Sequence, residues 1–284
     1  MSLNLKAPRA DIFVPDSKQV DAALARTTHM AIGAHQDDLE IFAYHGVAEC
    51  YGKQDQWFTG VTVTDGAGSA RSGLYADCSD EQMQEIRLLE QRKAAYVGDY
   101  AAQIQLRYPS KAVKDAKESC VIDDLYAVLM AAKPQVVYLH DPADKHDTHV
   151  GVMFRAIAAL RKMPAADRPS KVYGCEVWRD LDWLNDEEKV QLPTDKMECM
   201  ANSLVSLYDS QISGGKRDDL ATAGRRLANA TFSASHAVDT CHGLTNAIDL
   251  MPLLQNPELS IAAFILGAID RFRKDVETRL AKLG

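Results

Sequence analysis

The stretch His29-Met30-Ala31-Ile32-Gly33 runs directly into Ala34-His35-Gln36-Asp37-Asp38. The first part is short and apolar and reads as a buried strand, so a histidine and two adjacent carboxylates are delivered to a strand's carboxyl end. In open α/β sheets, ligands bind in the crevice beyond those ends. A second histidine pair, in His146-Asp147-Thr148-His149, follows another strand-like run at 135–140. A catalytic zinc ion usually takes three protein ligands and keeps a fourth position for water. His35, Asp38 and His149 supply that set, and the three-residue spacing of His35 and Asp38 lets one turn aim both inward. Asp37 is left between them as a spare carboxylate able to serve as the site's base, and zinc lowers the pKa of a bound water to about 7. The plainer reading of the first motif is a helix cap, with Asp37 or Asp38 capping a helix from residue 39 onward. Two such motifs at two strand ends favour the metal site.

Outward from these motifs, strands and helices alternate. Strands are expected at 28–34, 58–64, 102–107, 135–140 and 171–178. Helices are expected at 17–27, 80–97, 120–132 and 148–162, and residues 39–53 mix helical and buried patterns. In 80–97, Asp80 is a candidate cap, and Ile86, Leu89, Ala94 and Val97 fall largely on one face. The alternation predicts an α/β fold: a Rossmann-like, twisted, mainly parallel sheet with helices on both faces. Both histidine motifs should lie at neighbouring strand ends near the switch point of that sheet. From about 179 onward the chain reads as mostly helical, and 258–282 forms one long amphipathic helix suited to docking on the core or on a second subunit. The expected organisation is a core over 1–180 and a mostly helical part over 181–284 packed on it as one unit.

The 284 residues are 46% hydrophobic and 25% charged with a net charge of −8. That is ordinary globular usage, and the acidic balance disfavours nucleic acid and anionic membranes as partners. No run approaches the roughly 18–20 apolar residues of a membrane span, and the start lacks the apolar core of a signal peptide. The six scattered cysteines form no CxxC pair, as expected of reduced thiols in a cytoplasmic enzyme.

The AHQDDLE run, a Thr64-Asp65-Gly66 loop after the second strand and the late HxxH resemble the PIG-L/LmbE-like zinc-dependent N-acetylglucosaminyl deacetylases. The resemblance covers roughly the first 180 residues, with weaker matches around Arg87–Ala95 and in Ser210-Gln211. It implies removal of an acetyl group from an N-acetylated amino sugar or conjugate. It also implies His35, Asp38 and His149 as ligands to Zn2+, Asp37 as general base, and His146 as the histidine that stabilises the oxyanion. Iron(II) or another divalent ion is the other candidate metal. This chain departs from the usual HPDDE at Gln36 and Leu39, and from the usual HPDH at Asp147-Thr148. The acidic residue that orients His146 is therefore open among Asp147, Asp144 and Asp141. A tyrosine that some members use near this motif has no match at Asp144 or Lys145.

Outside these motifs, Asp65-Gly66-Ala67-Gly68-Ser69-Ala70-Arg71 reads as a substrate-facing loop, with Arg71 as a substrate-binding candidate and a solvent-exposed arginine as the alternative. His140 reads as a hydrogen-bonded core histidine that could also line the pocket, and His45 as structural. Trp178, Trp183 and Tyr173 could stack on a sugar or cover the sheet edge. Ser213–Arg217 reads as a turn before it reads as an anion site. Two other functions use the same residues: a non-haem iron oxygenase with two histidines and one carboxylate, and a non-catalytic sugar- or nucleotide-binding protein. Gly33-Ala34-His35 does not continue a dinucleotide fingerprint.

Overall fold

The computed structural model describes residues 3–284. Eight strands form one sheet: β1 (Asp11–Phe13), β2 (His29–Gly33), β3 (Phe58–Thr64), β4 (Ala102–Tyr108), β5 (Val136–His140), β6 (Lys171–Cys175), β7 (Lys189–Pro193) and β8 (Leu244–Asp249). Their spatial order is β1-β4-β3-β2-β5-β6-β8-β7. The five central strands β4, β3, β2, β5 and β6 are parallel, and β1, β8 and β7 extend the sheet antiparallel at its two sides. After β2 the chain moves outward through β3 and β4, then returns to place β5 on the other side of β2. The switch point is therefore the β2/β5 crevice, where the two histidine motifs emerge.

Among the described residues, twelve α-helices accompany the sheet: α1 (Val20–Ala25), α2 (Asp38–Phe42), α3 (Tyr44–Cys50), α4 (Asp80–Val97), α5 (Ser110–Lys114), α6 (Cys120–Ala132), α7 (Asp147–Lys162), α8 (Glu198–Ser206), α9 (Asp209–Ile212), α10 (Asp218–Thr231), α11 (Met251–Gln255) and α12 (Ile261–Leu283). The period-2 alternation of the strands divides them between two cores. Met30, Ile32, Val61, Val63, Val137 and Leu139 pack with α1, α5, α6, α7, α11 and the start of α12. Ala31, Phe58 and Tyr138 face α2, α3, α4 and α8 on the opposite side. Each face is buried, as a mainly parallel sheet requires.

Several boundaries differ from the sequence reading. The edge strand β1 is not anticipated, because three residues carry no period. Beyond residue 179 the chain also contains β7 and β8, with β8 inserted beside β6, so this part completes the sheet as well as covering it. The expected strand at 171–178 stops at Cys175, since Glu176 to Trp178 turn into the β2/β5 crevice. In α4 the buried face carries Met83, Arg87, Glu90, Gln91 and Ala94, whereas Leu89 and Val97 are exposed. Apolar periodicity picked the wrong stripe there because the inward face is largely polar. The cap of α4 is Ser79, in a reciprocal box with Gln82, and not Asp80. Helix α12 docks through Ile261, Ile265 and Ala268, and its second half is mostly exposed. No described helix is long and apolar enough to cross a membrane.

Candidate metal centre and active site

The loop after β2 is held by polar groups from three strands. The Ala34 N–H donates to His140 Nε2 at the end of β5, 2.9 Å away. The Gln36 amide donates to the Thr64 carbonyl and to Gln105 Oε1, both at 3.2 Å. The residue that replaces the familiar proline therefore ties the loop to β3 and β4. Asp37 follows with a positive φ of 98°, a strained conformation for a residue with a Cβ. Arg87 on α4 holds it there, donating to the Gln36 carbonyl and, at 2.9 Å, to Asp37 Oδ2. Arg87 is itself buried, with Glu90 Oε2 3.6 Å from its other terminal nitrogen. Gly66 makes room for this arrangement: its φ is +75°, and a Cβ there would meet Gln36 Oε1 at 2.7 Å and Arg87 Cβ at 3.1 Å.

The helix-cap reading of the motif does not describe the side chains. Asp37 occupies the cap position of α2 without a side-chain cap hydrogen bond. Asp38 is the first helical residue, and its Oδ2 accepts the His35 N–H at 2.6 Å. What converges instead is the ligand set. His35 Nδ1 lies 3.1 Å from His149 Nε2 and 3.3 Å from Asp38 Oδ2, and His149 Nε2 lies 3.4 Å from Asp38 Oδ1. Contacts of this size are comparable to the roughly 3.3–3.4 Å between ligand atoms set tetrahedrally at 2.0–2.1 Å from one ion, with Asp38 meeting His35 through Oδ2 and His149 through Oδ1.

Two overlapping groups of metal-capable side chains share His149: His35/His146/His149 and Asp38/His140/His149. His140 stacks on His149 at 3.9 Å between ring centroids, but its Nε2 lone pair is taken by the Ala34 N–H. His146 stacks on His149 at 4.5 Å and meets the His35 ring edge-on at 4.9 Å, on the open side of the set.

Asp144 settles which carboxylate orients a histidine. Its Oδ2 pairs with His149 Nδ1 at 2.9 Å, fixing the tautomer that turns a bare Nε2 toward the site. The oriented residue is thus His149, not His146, and Asp141 instead accepts the Ala143 N–H within its own turn. Burial keeps the His149 imidazole neutral, lowering its pKa to about 3. Burial opposes ionisation of Asp38, yet the carboxyl, which accepts the His35 N–H, is held well below its usual range. At Asp37 burial wins over the attraction of Arg87 and, with the adjacent Asp38 charge, pushes the carboxyl up to about 7. Burial, then His35, lower His146, so it favours the neutral imidazole.

A cavity of about 700 Å³ opens over these groups, lined by His35, Asp37, Asp38, Arg87, His146 and Trp178 among others. His149 lies beneath it, fully buried. Five of the six expected site residues are therefore together. Arg71 is the exception: its guanidinium is engaged by the Ala67 carbonyl at 2.5 Å and Asp80 at 2.6 Å, and it does not line the cavity. Lys216, from the presumed turn at 213–217, does line it and lies over the Trp178 ring at 4.1 Å. Tyr173 packs on Tyr138 and Trp183 on the core, while His45 bonds the Tyr138 hydroxyl at 2.9 Å. The sequence reading placed Arg87 only at the start of a weaker family match and not among the site residues. The match at Ser210 has a structural counterpart, since its N–H and hydroxyl both donate to Glu90 at 2.7 Å.

Residues 30–160 match the family described as PIG-L, GlcNAc-PI de-N-acetylase. The chain is 26% identical over 153 residues to the uncharacterized deacetylase YaiS of Escherichia coli K12, covering 53% of this chain and 77% of that protein. The N,N'-diacetylchitobiose deacetylase of Pyrococcus horikoshii shares the fold with a TM-score of 0.59 at 17% identity, over 85% of this chain and 90% of that one. The 4-carboxy-2-hydroxymuconate hydratase GalB of Pseudomonas putida KT2440 does so with a TM-score of 0.60 at 14% identity, over 82% and 98%. One fold thus carries two reactions, and the choice between them lies with the site.

Proposed function

We propose that this chain, whose residues 30–160 match the PIG-L family model, is a metal-dependent N-deacetylase that hydrolyses the acetamide of an N-acetylated amino sugar or related small amide. The observation that carries the reading is the convergence of His35, Asp38 and His149, whose nearest side-chain atoms meet pairwise at 3.1–3.4 Å, beside the Asp37 carboxyl, whose pKa burial raises to about 7. His35, Asp38 and His149 would hold the metal, and two imidazoles with one carboxylate are a donor set that suits zinc. A divalent cation bound there supplies Lewis acidity, making a water more acidic and polarising the amide carbonyl.

The chain's own groups do the rest. Asp37 takes the proton of the attacking water and returns it to the departing amine nitrogen, and its raised pKa suits both transfers at neutral pH. Arg87 positions Asp37 and offsets its charge in the ionised form. His146, as a neutral imidazole, donates an N–H to the carbonyl oxygen as charge develops on it. Asp144 keeps His149 in the ligating tautomer.

The test is acetate release from a panel of N-acetylated amino sugars, with and without a chelator. Release that a chelator abolishes and zinc restores is expected. Metal-free protein with full activity, or no acetate from any member of the panel with zinc bound, would overturn the reading. Oxygen consumption with iron(II) and a 2-oxo acid would reinstate the oxygenase alternative.

A further inference from the structure

The cavity carries more positive charge than this chemistry uses. Lys114, Lys145, Lys216, Arg225 and Arg226 all line it, and among the described residues none has a carboxylate oxygen within 4.0 Å. The carboxylates in the same wall are mostly engaged elsewhere. Asp37 is paired with Arg87, Asp38 faces imidazoles, and Glu176 accepts from the Asn229 amide and the Asn246 N–H. Asp218, half-buried, is reached by Lys216 and Arg87 only at longer range, and Glu176, whose Oε2 has no hydrogen-bond partner among the described groups, is reached by Arg225 in the same way. Arg225 and Arg226 spend donors on the carbonyls of Val177, Glu40 and Ile41. The ammonium groups of the three lysines have no hydrogen-bond acceptor among the described groups. Lys114 ends α5, Lys145 sits in the β5–α7 connection and Lys216 in the α9–α10 connection, so three separate segments bring them to one mouth. The protein as a whole is acidic at −8, and composition does not account for a cationic rim. Like charges gathered without a carboxylate in contact repel until an anion joins them, and such a rim also steers anionic ligands inward.

We propose that the mouth is a subsite for an anionic substituent, carboxylate or phosphate, on the N-acetylated substrate, and that Lys114, Lys145 and Lys216 select such substrates over neutral ones. The inference rests on the deacetylase reading for what happens at the acetyl group, but the charge preference is a binding property and is measurable without turnover.

Calorimetric titration of the full chain, zinc-loaded and metal-free, with glucosamine, glucosamine 6-phosphate and muramic acid separates the cases. Tighter binding of an anionic sugar, by about tenfold at low salt, is expected. The preference should shrink at about 0.5 M salt, where charge is screened within several ångströms. The phosphate and carboxylate arms report which anion is preferred. In Lys114→Gln, Lys145→Gln and Lys216→Gln the anionic-to-neutral affinity ratio should fall about threefold or more, and Lys216→Arg should retain it. A preference produced by direct coordination to zinc would vanish in the metal-free protein and ignore the lysine substitutions, and that result overturns the proposal. So does equal affinity for all three sugars, or an unchanged ratio in the triple glutamine variant with its melting temperature preserved. Anion preference without acetate release from any substrate would sink the deacetylase reading and leave the subsite standing. Deacetylation with no charge preference in binding would do the reverse.

Discussion

Asp144 Oδ2 and His149 Nδ1 are 2.9 Å apart at the end of β5, and this pair determines which nitrogen of a fully buried imidazole faces the candidate metal centre. Asp144 is in turn held by the N–H groups of Trp178 at 3.3 Å and Arg179 at 3.2 Å, so the segment after β6 buttresses the ligand. The Asp144→Asn variant presents an amide where the imidazole N–H needs an acceptor. We expect it to remain folded and to lose about 10–100-fold in zinc affinity, read by competition with a chromogenic chelator. Unchanged affinity would remove Asp144 from the site.

Asp37→Asn tests the base. It lies outside the ligand set, so zinc content should be kept while kcat falls by about 10²–10⁴-fold. The pH profile has a defined sign. The carboxyl is raised by burial to about 7 in the protein without metal, and only its ionised form accepts a proton. Activity therefore rises with pH through its titration. A bound cation favours the carboxylate, so the acid limb of kcat/KM should lie below that value. Loss of the limb in Asp37→Asn residual activity is the check.

Gly66→Ala should damage fold and site together. An alanine would adopt φ +75° and crowd Gln36 and Arg87, the two groups that fix the Asp37 backbone. A destabilisation of about 1–3 kcal/mol is expected, seen as a lower thermal midpoint. A fall in kcat under conditions where the variant is fully folded should accompany it.

His29, at the opposite end of β2, links pH to stability. Burial lowers its pKa from 6.5 to about 4 in the folded protein. Between those values the unfolded chain binds the proton and the folded one does not. Stability contributed by the neutral ring is thus complete above 6.5 and is lost as pH falls toward 4. The loss is on the order of 2 kcal/mol after allowance for partial exposure. Glu40 works in the other direction, since burial raises it to about 7 despite hydrogen bonds from Tyr208 and Tyr100. Subtracting the denaturation curves of His29→Gln from those of the wild type isolates the histidine. A difference that does not vary between pH 7 and 4 would contradict its burial as a neutral group.

The central strands and their order of succession were readable because β2 and β5 are short apolar runs and β3 and β4 alternate polar with apolar residues, each of strand length and separated by helical periods. The ligand set was readable because two short motifs end such strands. The sequence had no comparable mark for Arg87, whose partners lie 50 and 51 residues away, or for Lys114, Lys145 and Lys216 as a common mouth. Arg71 misled for the same reason: a basic residue in a glycine-rich loop says nothing about which carboxylate it meets, and here that is Asp80 on the next helix.

Local pattern therefore sufficed for the kind of fold and for the chemical types in the site. Strand periodicity and short-range turns are properties of neighbouring residues. The tautomer of His149, the strained seat of Asp37 and the charge at the cavity mouth arise from contacts between segments far apart in the chain. Their energies depend on burial and on distances of a few ångströms, and those come into being only when the β2/β5 crevice has closed around them.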